Sequence, residues 1–134
     1  STRKESSAAS DVYKRQKRNL DLIRNILFAV ENSNSIDACL TLNGLSKLHP
    51  DQELILYHVF LLDDAGFIIG IIDETAPYVS ITRLTNEGHD YLDTIRDDSV
   101  WKQTKSTLGK ISGSASLEVV KTIASKLALT FLGL

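Results

Sequence analysis

The sequence holds one cysteine, two prolines, one tryptophan and no methionine in 134 residues. Cys39 alone can neither close an intrachain disulfide nor build a zinc ribbon, so the chain fits a reducing, cytoplasmic setting. The seven glycines never fall into a GxGxxG or GxxxxGK spacing, which excludes the usual backbone cradles for phosphate. No run approaches the roughly 18 uncharged apolar residues of a membrane span, and no charged-apolar-small pattern marks a signal peptide. Positive charge is short as well. Fifteen Lys and Arg stand against seventeen Asp and Glu, a net charge of -2 that excludes a generally basic nucleic-acid coat but leaves room for a local patch. What is present is apolar material: 43% of the chain, enough for one globular domain without metal or disulfide staples.

Residues 1–16, STRKESSAASDVYKRQ, hold almost nothing that packs, the composition of a disordered end. DVYKRQ at 11–16 resembles one reading frame of the transposase adapter used in sequencing libraries. The segment therefore reads as an assembly scar or a floppy terminus, set aside from the fold.

From Asn19 the pattern is helical: Leu20, Ile23, Ile26 or Leu27, and Val30 recur at three- and four-residue steps. Polar residues 32–35 end it, 38–42 reads as a short strand, and Asn43-Gly44 as a turn. Pro50 suits the first turn of a second helix that runs to Ala65 and stops at Gly66. Its middle, LILYHVFLL, is apolar nearly all round, so it must be buried on several sides or dock a partner. FIIGIID (67–73) and YVSITRL (78–84) form a β-hairpin with Pro77 in the turn. Thr85 caps a helix carrying Tyr91, Leu92 and Ile95, and Asp98 or Ser99 caps the next, which ends near Gly109. A last helix, about 115–132, carries Leu117, Val120, Ile123, Ala124, Leu127 and Phe131 as a stripe.

Helix, short strand, helix, β-hairpin, helix is the order of a winged-helix-like α+β core, here 17–98, with a helical C-terminal extension over 99–134. The usual intervening helix is shortened to 45–49 or lost. KRNLDLIRNILFAVE at 17–31, Tyr57-His58, DDAGFI at 63–68, RLTNEGHDYLDTIRDDSVW at 83–101 and the ending SLEVVKTIASKLALTFLGL resemble the bacterial and phage family called domain of unknown function 2513. The resemblance spans 17–134, and family members tend to begin near Lys17. One departure lies in 50–62, where Leu56 and Phe60 stand at positions expected to be more polar. The resemblance carries over no catalytic residue, cofactor or activity.

The residues themselves point away from catalysis. His49, His58 and His89 with Asp90 and Asp93 have the order of a phosphohydrolase metal site. A hairpin separates His58 from His89, however, so these histidines read better as packed or hydrogen-bonded structural groups. Asp97 and Asp98 are adjacent and point about 100° apart on a helix, which suits capping rather than a shared substrate. Cys39 reads as a small buried apolar residue.

Charge is distributed unevenly. Between Glu31 and Asp98 thirteen acids face three cations, Lys47, Arg83 and Arg96. The helix in the recognition position has no Lys or Arg, although a DNA reader gains most of its affinity from them. The chain is therefore expected to be non-enzymatic, without cofactor or metal, and to act on a protein partner, itself included as a homodimer. Leu56, Phe60, Trp101, Ile123, Leu127 and Phe131 are the interface or core anchors. The alternative is a DNA-binding regulator that uses Lys17, Arg18, Arg24, Lys102, Lys105 and Lys110. An amphipathic helix resting on a membrane surface is a third, weaker use of the last helix.

Overall fold

The computed structural model describes residues 18–33, 39–110 and 115–134. The leader, Lys17, Ala38 and Gly113 lie outside them. Among the described residues the architecture is α+β: five helices and a three-stranded antiparallel sheet. The chain divides into two compact units between Thr85 and Asn86, ahead of the division at 98 drawn from the order of elements.

The first unit opens with α1 (Leu20–Glu31). Asn19 is its N-cap, its side chain accepting from the Leu22 N–H at 3.0 Å. The expected stripe is inside: Leu22, Ile23, Ile26, Leu27 and Val30 are buried. Strand β1 (Leu40–Thr41) and a 3-10 turn (Asn43–Leu45) follow, with no α-helix between them and α2. Helix α2 (Gln52–Asp64) begins later than expected. Pro50 precedes the cap instead of sitting in the first turn, because Asp51 takes the N-cap and its carboxylate accepts from both Glu53 and Leu54 N–H. The other end is as expected. Gly66 adopts φ 74°, Gly66 N–H bonds the Asp63 carbonyl and Phe67 N–H bonds the Leu62 carbonyl, both at 3.0 Å. That pairing is a Schellman cap, which a residue with a Cβ closes only under strain.

The hairpin comprises β2 (Ile68–Asp73) and β3 (Tyr78–Leu84), and the sheet order β1-β3-β2 leaves β2 at an edge. Ile69 pairs with Arg83 and Gly70 with Ile81, so Thr82 is the extra residue of a bulge. Gly70 is required there: a Cβ would overlap the Ser80 carbonyl oxygen and lie 2.8 Å from Ile81 Cα. At the hairpin end the Asp73 carboxylate accepts from Thr75 N–H (2.9 Å), Thr75 Oγ1 (2.7 Å) and Ala76 N–H (3.3 Å). The Thr75 hydroxyl bond, above all, holds this carboxyl below its ordinary pKa. Ile68, Val79, Ile81 and Leu84 line the inner face of the sheet and are buried, as are Leu54, Ile55, Val59 and Leu62 of α2. Each such side chain contributes about 1.5–3 kcal/mol by leaving water.

The second unit holds α3 (Asn86–Ile95), α4 (Asp98–Leu108) and α5 (Leu117–Phe131). The cap of α4 is Asp97, not Asp98 or Ser99: its side chain accepts from Val100 N–H at 2.9 Å, which places Asp98 in the first turn. Ser116 caps α5. The buried set is Gly88, Tyr91, Leu92, Ile95, Val100, Trp101 and Thr104, joined from α5 by Val120 and Ala124 alone. The stripe expected on the last helix faces inward: Leu117, Ile123 and Leu127 are half-buried beside Val120 and Ala124, and Phe131 at its end is exposed.

Candidate partner interface

Helix α2 has two faces of unlike chemistry. Leu54, Ile55, His58, Val59 and Leu62 point inward and are buried. Leu56, Tyr57 and Phe60 are half-buried on the outward side, and the steps 53, 56, 57, 60, 63 and 64 put them in line with exposed Glu53, Asp63 and Asp64. The result is a greasy strip closed at both ends by carboxylates. From Pro50 to Thr82 the sequence contains six acids and neither Lys nor Arg. The Glu74 side of the hairpin turn is likewise without a cation until Arg83, whose guanidinium donates to the Leu84 carbonyl at 2.9 Å. A duplex backbone meets repulsion along such a surface.

The strip is held in place from behind by His58, which is 1% exposed. Its Nε2 accepts the Asn19 backbone N–H at 2.8 Å, so the ring proton sits on Nδ1 and is donated to the Leu54 carbonyl at 2.9 Å. The ring thus ties the start of α1 to α2 in the neutral form. Desolvation lowers the His58 pKa, and His49 and Arg18 push the same way, against the Leu54 bond. Both ring nitrogens are occupied by backbone, which leaves no lone pair for a metal. Among the described residues no group of three or more His, Cys, Asp and Glu is placed to hold a metal ion. His49 is also engaged with backbone, its Nδ1 accepting from Asp51 N–H at 3.0 Å.

Helix α5 is the second unusual surface. Ile123, Leu127 and Ala128 are half-buried, while Val119, Leu129, Phe131, Leu132 and Leu134 are 40–84% exposed. Gly133 at φ 77° closes it with the same cap as α2, Leu134 N–H reaching the Leu129 carbonyl at 2.8 Å. Between the end of α5 and the start of α4 lies a groove of about 380 Å³, lined by Asp97, Ser99, Val100, Ala128, Phe131 and Leu132. Within the helix the apolar residues most open to water are Val119, Leu129 and Phe131.

The candidate residues separate accordingly. Leu56 and Phe60 share the outward side of α2, whereas on α5 Ile123 and Leu127 are half-buried beside Val120 and Ala124 and Phe131 is exposed. Trp101 is 3% exposed and is a core residue, out of reach of a partner. Cys39 is exposed rather than buried, because it precedes β1 on the side opposite Leu40; its Sγ lies 3.9 Å from Thr82 Oγ1. Of the cations, Lys17 lies outside the described residues. Arg24 stacks over Phe28 at 4.9 Å and Lys105 over Trp101 at 5.7 Å, whereas Arg18, Lys102 and Lys110 are exposed. Sequence reasoning missed Tyr57 in the α2 strip and the outer sheet face, where Ile69, Ile71 and Tyr78 are 45–67% exposed. The period-two spacing of Ile69 and Ile71 was the available signal.

No helix among the described residues is long and apolar enough to cross a membrane. No solved structure matches the chain. It is similar to an uncharacterised protein of Haemophilus influenzae, 37% identical over 110 residues that cover 81% of this chain and 92% of that one. The family described as Hypothetical protein (DUF2513) matches residues 17–115, ending just ahead of α5. On a match of that extent the chain belongs to the DUF2513 family.

Proposed function

We propose that this protein is a non-enzymatic, winged-helix-like interaction module of the cytoplasm that works by protein contacts. The reading takes 17–98 as the winged core and 99–134 as its extension, with α2 in the position of a recognition helix. One observation carries it: the outward side of α2 offers Leu56, Tyr57 and Phe60 between Glu53, Asp63 and Asp64, in a stretch of 50–82 free of Lys and Arg. Apolar side chains within an anionic rim suit a polypeptide, whose cationic side chains can be steered by the rim while its apolar ones are buried.

A second reading, a DNA-binding transcriptional regulator, rests on the exposure of Arg18, Lys102 and Lys110, with Lys17, Arg24 and Lys105 near them in sequence. The two separate in a salt titration of a labelled duplex. The protein-contact reading predicts at most weak binding that is indifferent to α2 substitutions. Affinity that falls steeply from about 50 to about 200 mM salt, and is lost on neutralising Lys102 and Lys105, sinks it and establishes the regulator.

A further inference from the structure

We infer that β2 pairs antiparallel with β2 of a second copy of this chain, joining the two sheets across a two-fold axis. The contact uses a different face from the α2 strip and stands whatever that strip binds. In the sheet order β1-β3-β2, one side of β2 faces no strand among the described residues. Half of its backbone N–H and C=O groups therefore point along an open edge. Such edges are ordinarily guarded by Lys, Pro or a charge along the strand, and FIIGII at 67–72 has none of these. The bulge places its extra residue, Thr82, on β3 and leaves β2 uninterrupted. Ile69 and Ile71 on the outer face are 45% and 67% exposed.

The edge is complementary to itself in both apolar pattern and charge. Ile69, Ile71 and Asp73 alternate onto the outer face, and Arg83, the residue paired with Ile69, shares it. Antiparallel pairing about Ile71 keeps the buried faces of both copies on one side. It sets the two Ile71 side chains against each other and Ile69 of each copy opposite Asp73 of the other. Arg83 of one copy then lies two strand spacings, about 10 Å, from Asp73 of the other, within reach of an extended arginine. The two-fold forms this ion pair twice. Arg83 is the only Lys or Arg between Lys47 and Arg96, and among the described residues neither it nor Asp73 is ion-paired. A parallel pair about a two-fold instead turns the buried face of one copy to the outer side of the other. One strand seam buries far less than the about 800 Å² per partner of a standard interface, so the dimer is weak and reversible.

The test is sedimentation equilibrium of the whole chain from about 10 µM to about 1 mM, with charge exchange across the seam. The wild type is expected to dimerise within that range. R83E and D73K are each expected to weaken the dimer about tenfold, and mixing them to restore a heterodimer within about threefold of wild type. Ile71→Lys, at a largely exposed position, is expected to abolish dimerisation while circular dichroism stays unchanged. Oxidised glutathione reads the register: in a Cys39→Ser background, Ile71→Cys is expected to cross-link, its two copies lying about 5 Å apart. Ile69→Cys, about 14 Å from its counterpart, is expected not to. A chain monomeric to about 1 mM overturns the inference and leaves the edge to a strand of another protein. A dimer indifferent to Ile71→Lys, a mixture no tighter than R83E or D73K alone, or cross-linking at 69 and not at 71 overturns it too. None of these results touches the reading of α2, which falls only to salt-sensitive duplex binding.

Discussion

His58 offers the sharpest test of how the α2 strip is supported. Replacing it with Leu keeps the volume but removes the acceptor for Asn19 N–H, 2.8 Å away, and the donor to Leu54. The Leu54 carbonyl still accepts its helical N–H, so the loss concentrates on Asn19, whose side chain and carbonyl already start α1. An unsatisfied buried donor costs about 1–3 kcal/mol. At this chain length that is a fall in Tm of roughly 3–5 °C per kcal/mol. Gln at the same position can offer its amide oxygen to Asn19 and is expected to lose less. The pH dependence follows from the lowered pKa. Below the unfolded-state value of about 6.5 the unfolded chain binds a proton that the folded chain refuses, so stability falls with falling pH until the folded pKa is reached. Its slope is at most about 1.4 kcal/mol per pH unit. Urea melts of wild type and both variants between pH 5 and 8 measure all of this. Equal stability of the Leu variant at pH 8, or an unchanged slope below pH 6.5, refutes the role given to His58.

Other perturbations are equally direct. Asp97→Ala removes the α4 cap and should cost about 1 kcal/mol in chemical melts, whereas Asp98→Ala, in the first turn, should cost a few tenths. Gly70→Ala forces a Cβ against the Ser80 carbonyl and should cost about 1–3 kcal/mol, with loss of slow amide exchange across the β2/β3 ladder. Asp73→Ala should speed exchange at the Thr75 and Ala76 amides. The wild type should do the same in acid, because a carboxyl with a lowered pKa gives up its contribution as pH falls through that value.

Element types were legible in the sequence because period and punctuation agreed. The stripe of α1, the Gly66 stop and the two runs around Pro77 all reappear in the structure. Caps were harder. Asp51, Asp97 and their neighbours are all competent acceptors, and only the local φ/ψ decides which one leaves the helix. Burial was hardest. Periodicity announces which residues share a side of α5, but whether that side meets a neighbour depends on contacts distant in sequence, and only Val120 and Ala124 are enclosed. The same holds for Trp101 and Cys39, where residue type fixed neither accessibility. The charge asymmetry behind the interface needed no structure, since it is a count; the alignment of Leu56, Tyr57 and Phe60 with the acids did.

Amide chemical shifts of the labelled chain during titration with a mixed-sequence duplex, at physiological salt, test the central claim most directly. The account predicts that the amides of 52–64 and of 98–110 stay where they are. Progressive, saturable movement of either set, abolished by added salt, contradicts it.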